Sequence, residues 1–147
     1  MTALADEELL RRLPSLGIDH DTKAFSAGWL EQRLMLNRCS DCGHWHHPPR
    51  PVCPECWSTS VLPTEVSGRG VVHLLIRVRQ GPEIDGVDYL DGWPVATVEL
   101  TEQPGLRYTS TVVDVDPSIL TIGLPVELTW IERFGEPYPA FRPERAS

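Results

Sequence analysis

The sequence predicts a mainly β protein, with a short helical arm, a small metal-binding module and then a barrel of about five strands. Three observations lead there. All four cysteines fall in one compact stretch, CSDCGHWHHPPRPVCPEC, at residues 39–56. From Val66 onward, short runs of alternating or β-branched residues are broken by Gly and Pro turns. Helical periodicity is confined to the N-terminal arm.

The arm is placed at residues 1–33. A helix is expected over 2–13, with Thr2 as its cap, acids at Asp6, Glu7 and Glu8, and Arg11 and Arg12 near its end, matching the helix dipole. Leu9 and Leu13 form its apolar stripe, and Pro14 and Gly17 stop it. A second helix starts after Asp21 or Thr22 and puts Phe25 and Trp29 on one face at i and i+4. Those rings either pack on the protein's own body or are offered to a partner.

The metal-binding module is placed at 34–63 and opens with a strand at 34–38. The barrel is placed at 64–147, with strands at 64–67, 70–79, 94–101, 106–115 and 124–133. In the second of these, Val72, Leu74, Ile76 and Val78 share one face, while His73, Arg77 and Arg79 lie on the other with Val71 and Leu75. About five short strands favour a barrel of the OB type. The connection at 80–93 is long and acidic and carries Tyr89 and Trp93, which marks it as a functional or disordered loop.

Composition narrows the function classes. Net charge is -8 with a pI near 5.0, and there is a single lysine, Lys23, which argues against a polyanion as partner. No apolar run approaches the ~20 residues needed to cross a bilayer. The acidic start of the chain is unlike a secretory signal, so a cytoplasmic location is expected. In a reducing compartment, paired cysteines bind metal or do redox chemistry more often than they form disulfides.

The spacing C-x2-C-x10-C-x2-C distinguishes these uses. Each C-x2-C turn lets two thiolates converge on one ion while backbone amides point at sulfur, and Gly43 supplies the permissive backbone after the first turn. Two such knuckles close a tetrahedron of Cys39, Cys42, Cys53 and Cys56 around zinc, although iron uses the same cage. A thioredoxin-type redox pair leaves the second C-x2-C unexplained. His44, His46 and His47 are read as surface residues or as supports behind the ligands. With four protein ligands no position remains for an activated water, so the metal is structural. The sequence contains no Ser-His-acid grouping, Gly-rich phosphate loop or H-E-x-x-H helix, so no catalytic residue is assigned. Asp85, Asp88 and Asp91 lack the spacing of a calcium loop and are read as a solvated acidic loop.

Together, CSDCGHWHHPPRPVCPEC, VSGRG, IGLPVELTW and AFRP, in that order, resemble the family that joins a rubredoxin-like zinc ribbon to an OB-fold. The resemblance covers about 25–143. Two features depart from it: Trp57 stands where a glycine is common, and the acidic loop at 85–91 is peculiar to this chain. The resemblance implies an accessory subunit without catalytic residues of its own. It would bind and stabilise a thiolase-like enzyme acting on acyl-CoA thioesters, as a two-plus-two hetero-oligomer. The reaction it implies is retro-aldol cleavage in steroid side-chain degradation; an acyltransferase or an acyl-CoA hydratase complex is the alternative. A single-stranded nucleic-acid-binding OB-fold is a further reading, which the acidic charge disfavours.

A subunit that touches coenzyme A needs cations on one surface. Arg50, Arg69, Arg77, Arg79 and Arg142 are the candidates, with Arg50 and Arg69 equally suited to bracing ribbon against barrel. Aromatic anchors for a partner are Phe25, Trp29, Tyr89, Trp93, Tyr138 and Phe141, whereas Trp130 on a strand is assigned to the core.

Overall fold

The computed structural model describes residues 6–13 and 21–145. Thr2, Pro14, Gly17 and His20 lie outside them. The chain divides into two compact units, one through Val66 and one from Ser67.

In the first unit, helix α1 (Asp6–Arg12) has the expected acids in its first turn and arginines in its last, and it buries Leu9. Helix α2 (Lys23–Leu30) starts after Thr22. Strand β1 (Met35–Cys39) is the centre of a three-stranded antiparallel sheet in the order β2-β1-β3, with β2 (Trp45–His46) and β3 (Val61–Glu65) beside it. Gly28 lets α2 approach this sheet closely. A side chain there would come within 2.7 Å of the Arg33 carbonyl and 2.8 Å of Met35. Leu34, Leu36, Trp45 and Val66 are buried in this unit.

The second unit is a five-stranded antiparallel sheet in the order β6-β5-β4-β7-β8. Its strands are β4 (Arg69–Val78), β5 (Trp93–Leu100), β6 (Arg107–Ser110), β7 (Pro125–Arg133) and β8 (Glu136–Pro143). The sheet curls until its two edges meet at a parallel bridge between Val112 and Phe141. The Phe141 amide donates to the Thr111 carbonyl at 2.9 Å and the Val113 amide to the Phe141 carbonyl at 2.7 Å. This is the OB-type closure. Inside it Val72, Val98, Leu100, Val126, Ala140 and Phe141 are sealed from solvent.

The strand count is as expected, but its membership differs. Residues 64–67, expected as the first barrel strand, are divided between the units. Thr64 and Glu65 pair with Leu36 and Met35 of β1, so β3 closes the ribbon sheet instead. The fifth barrel strand is β8, which reads in sequence as a Pro-rich tail. Its Pro137, Pro139 and Pro143 share strand parity with Phe141, whose amide points away from β7 toward Thr111. Proline therefore occupies positions whose N–H would be lost to the β7 ladder in any case. Ladder pairing with β7 falls to the alternate residues.

The apolar face expected along β4 is also split. The register passes from Val72↔Val98 to Leu74↔Thr97, leaving His73 as the bulged residue. One extra residue inverts the alternation beyond it. Val72 is thus buried, while Leu74 and Ile76 turn outward at 54% and 60% exposure, in line with exposed Val71.

Candidate functional site: a four-thiolate centre and an aromatic cleft

The strand β1 delivers Cys39 to the first knuckle, and the turn before β3 carries the second. Each repeats one hydrogen-bond pattern. The Cys39 amide donates to the His44 carbonyl and the Gly43 amide to the Cys39 carbonyl, both at 2.9 Å. In the second knuckle, the Cys53 amide donates to Ser58 at 2.9 Å and the Trp57 amide to Cys53 at 3.0 Å. Gly43 and Trp57 occupy equivalent left-handed positions, with φ of 78° and 66°. The departure noted in the sequence is therefore a tryptophan in a glycine conformation. Its side chain is 82% exposed, so packing does not compensate for the strain. Trp57→Gly is expected to raise stability by about 0.5–1 kcal/mol, the left-handed penalty less the extra chain entropy of glycine. Thermal unfolding in excess zinc measures it, and a lowered Tm would show that the indole contributes to folding.

The hydroxyl of Ser58 donates to Asp41, tying the knuckles together. Arg38 stacks 5.0 Å from the Trp45 ring centroid, and its Nε donates to the Gly43 carbonyl at 3.1 Å. The four sulfurs lie within 4.8 Å of one another, with Cys39–Cys56 at 3.6 Å and Cys42–Cys53 at 3.7 Å. A regular tetrahedron with Zn–S bonds of about 2.3 Å has edges of about 3.8 Å. The donor set thus fits zinc both in chemistry and in spacing. Cys39, Cys42, Cys53 and Cys56 are the one group of three or more possible ligands gathered among the described residues. The Cys42 amide lowers the Cys39 thiol to about 7. The Ser58 amide also lowers the Cys56 thiol, but desolvation and the neighbouring thiols outweigh it and push the group up to about 12. A bound dication favours the thiolate form of all four.

The histidines take no ligand position. His46, buried in β2, lies 3.3 Å through Nε2 from both the Asn37 side-chain amide and the Arg50 carbonyl; its Nδ1 has no partner. Asn37 Nδ2 donates to the same carbonyl at 3.1 Å. The Arg50 main chain is therefore anchored while its side chain is exposed.

The other arginine candidates form two groups. Arg69 and Arg142 flank Glu127 across β4, β7 and β8, with Arg142 Nε 3.4 Å from the carboxylate. Arg77 and Arg79 both approach Gly92, and Arg77 donates to the Pro117 carbonyl at 3.2 Å. Arg69 and Arg77 stand about 26 Å apart along β4, so these side chains do not converge on one anion.

Of the aromatic candidates, Phe25 and Trp29 are half-buried on α2. Phe141 requires correction. It is 0% exposed and packs edge-on to Tyr108 with centroids 6.4 Å apart, so it is a core residue and not an anchor for a partner. Trp130, assigned to the core, is half-buried. Tyr89, Trp93 and Tyr138 are gathered around a cleft of about 230 Å³. At its wall Arg133 lies 3.9 Å from the Tyr138 ring centroid and 6.0 Å from that of Trp93. Arg133 Nε is buried without a hydrogen-bond partner, a state that costs about 1–3 kcal/mol. Sequence reasoning missed Arg133. Pairing residues 124–133 with 136–143 as a hairpin would have found it, because the Phe134-Gly135 turn brings it back toward Tyr138. The acidic loop is pinned over this region, with Asp85 accepting the Phe134 amide at 2.9 Å.

A closed thiolate ribbon joined in sequence to an OB barrel defines the class. Family profiles for the ChsH2 rubredoxin-like zinc ribbon domain and the ChsH2 C-terminal OB-fold domain match residues 26–61 and 63–130. A DUF35 domain-containing scaffold protein of Pyrococcus furiosus is 34% identical over 96 residues, covering 65% of this chain and 67% of that protein. A probable enoyl-CoA hydratase alpha subunit of Thermomonospora curvata is 34% identical over 131 residues, 88% of this chain. The chain spans only 40% of that relative's length. The solved structure described as Ltp2-ChsH2(DUF35) aldolase superposes with a TM-score of 0.76 at 33% identity, covering 87% of this chain and 98% of that one. The protein belongs to the DUF35 family, with a ChsH2-type zinc ribbon and OB-fold. No described helix is long and apolar enough to cross a membrane.

Proposed function

We propose that this chain is a non-catalytic accessory subunit, which docks on and stabilises a thiolase-like enzyme acting on acyl-CoA thioesters. The observation that carries this is the exposed row on the barrel in which the bulge at His73 turns Leu74 and Ile76 to solvent in line with Val71. Exposed apolar residues in a row mark an interaction surface. Relatives described as scaffold proteins and as part of an aldolase support an enzyme as the partner. The finer reading is a retro-aldol enzyme of steroid side-chain degradation, bound two plus two, with Arg50, Arg69, Arg77, Arg79 and Arg142 as the candidate contacts to coenzyme A. Phe25, Trp29 and the exposed Trp57 are further anchor candidates. The match to a hydratase alpha subunit favours a second reading, in which the same surface serves a hydratase.

Affinity capture of the tagged chain from its own host tests both readings. The expected result is a thiolase-fold chain, with a hydratase instead favouring the second reading. Leu74→Asp combined with Ile76→Asp should abolish recovery while leaving zinc content and thermal unfolding unchanged. Thioester turnover by the purified chain alone, or recovery of salt-sensitive nucleic acid without an enzyme, would overturn the proposal.

A further inference from the structure

We infer that the cleft between the acidic loop and the β7–β8 hairpin is a binding site for a small monocarboxylate with a flat or branched apolar body, held by Arg133. The supporting geometry lies within the barrel unit, where β5 and β6 supply the floor, the acidic loop supplies one wall and the β7–β8 hairpin the other. OB-folds generally bind their ligands on the second and third strands beside the loops that follow the first and fourth. Here those elements are β5, β6, the acidic loop and the Phe134-Gly135 turn.

Donor accounting identifies the ligand's polar end. The Ser110 and Thr111 hydroxyls already donate to the Pro139 and Pro94 carbonyls at 2.6 and 2.8 Å, and the Tyr89 hydroxyl to the Pro82 carbonyl at 2.8 Å. Arg133 is different. Its guanidinium Cζ lies 3.9 Å from the Tyr138 ring centroid, and its Nε has no acceptor. A planar fork of this kind matches a carboxylate. Val78, Ile84, Val87 and Val95 line the rest and suit an apolar body.

Size and charge favour a small ligand with a single negative charge. A volume of about 230 Å³ exceeds the ~150 Å³ that accepts benzene and falls below the ~300 Å³ where drug-sized pockets begin. One ring or a short branched chain plus the acid group therefore fits. Asp85, Asp88 and Asp91 belong to the loop that forms the wall, so a ligand with several phosphates would meet like charge.

Phenylacetate is a suitable probe and phenylacetamide its neutral counterpart. Titration into the full-length, zinc-loaded protein, followed by amide and indole NMR shifts, should show saturable binding centred on Trp93, Thr109 and Thr111. The amide should bind about tenfold or more weakly, and so should phenylacetate to Arg133→Met, which keeps the aliphatic stem. The acid–amide comparison on the unaltered protein remains decisive if that variant does not fold. Absence of saturable binding, equal affinity for acid and amide, or shifts centred elsewhere would each overturn the site.

Discussion

Cys53→Ala is expected to empty the metal site and unfold the ribbon unit. Zinc should fall from about one per chain to near zero, and amide-exchange protection through β1, β2 and β3 should disappear. The magnitude follows from what the ribbon has besides metal. Its sheet contains one two-residue strand and two of five residues, too little to hold an independent core. Structural zinc supplies about 10–16 kcal/mol of folding free energy in small modules. Cys53 is itself 0% exposed, so its loss also opens a buried gap. Cys39→Ala should behave in the same way. The barrel has its own sealed core, and its amides should stay protected in both variants. Metal analysis with amide exchange reads both halves of the prediction, and a folded, fully loaded Cys53→Ala protein would refute the four-thiolate centre.

The second large effect concerns the SGRG turn that opens the barrel. Gly68 has φ of +82°, and a methyl group there would lie 2.3 Å from Leu128 Cβ. Leu128 cannot retreat, because its amide is hydrogen-bonded to the Gly68 carbonyl at 2.8 Å. Gly68→Ala therefore adds overpacking to left-handed strain, about 2–5 kcal/mol in all. Gly86 separates the two effects. Its φ is +77°, with nothing within 4 Å of the added carbon, so Gly86→Ala should cost only the ~1–2 kcal/mol of strain. Urea unfolding of both variants gives the difference. If they unfold alike, the close approach to Leu128 does not control stability. Gly70 shows the same crowding without unusual φ, since an added carbon would sit 2.3 Å from the Glu99 carbonyl oxygen.

These positions also show which features are legible in sequence. The metal ligands are legible because two identical knuckles specify four donors by local spacing alone. The helical arm is legible through its charge order, and Thr22 precedes α2 as expected. The β8 strand is not legible by propensity, since its prolines argue against a strand until the direction of each N–H is known. The exposed row on β4 is likewise hidden. Strict alternation buries Leu74 and Ile76 with Val72, and only cross-strand register reveals the bulge at His73.

What the sequence by itself determined is the set of features that depend on neighbours along the chain: the four thiolates, the turn glycines and the presence of a helical arm before a β-rich region. The tertiary structure alone decided which residues face one another across the sheet. It moved Phe141 into the core, sent β3 to the ribbon, and set Arg133 beside Tyr138 with a donor unused. The physical reason is that strand pairing joins residues far apart in sequence, and a one-residue shift in that pairing exchanges inside for outside.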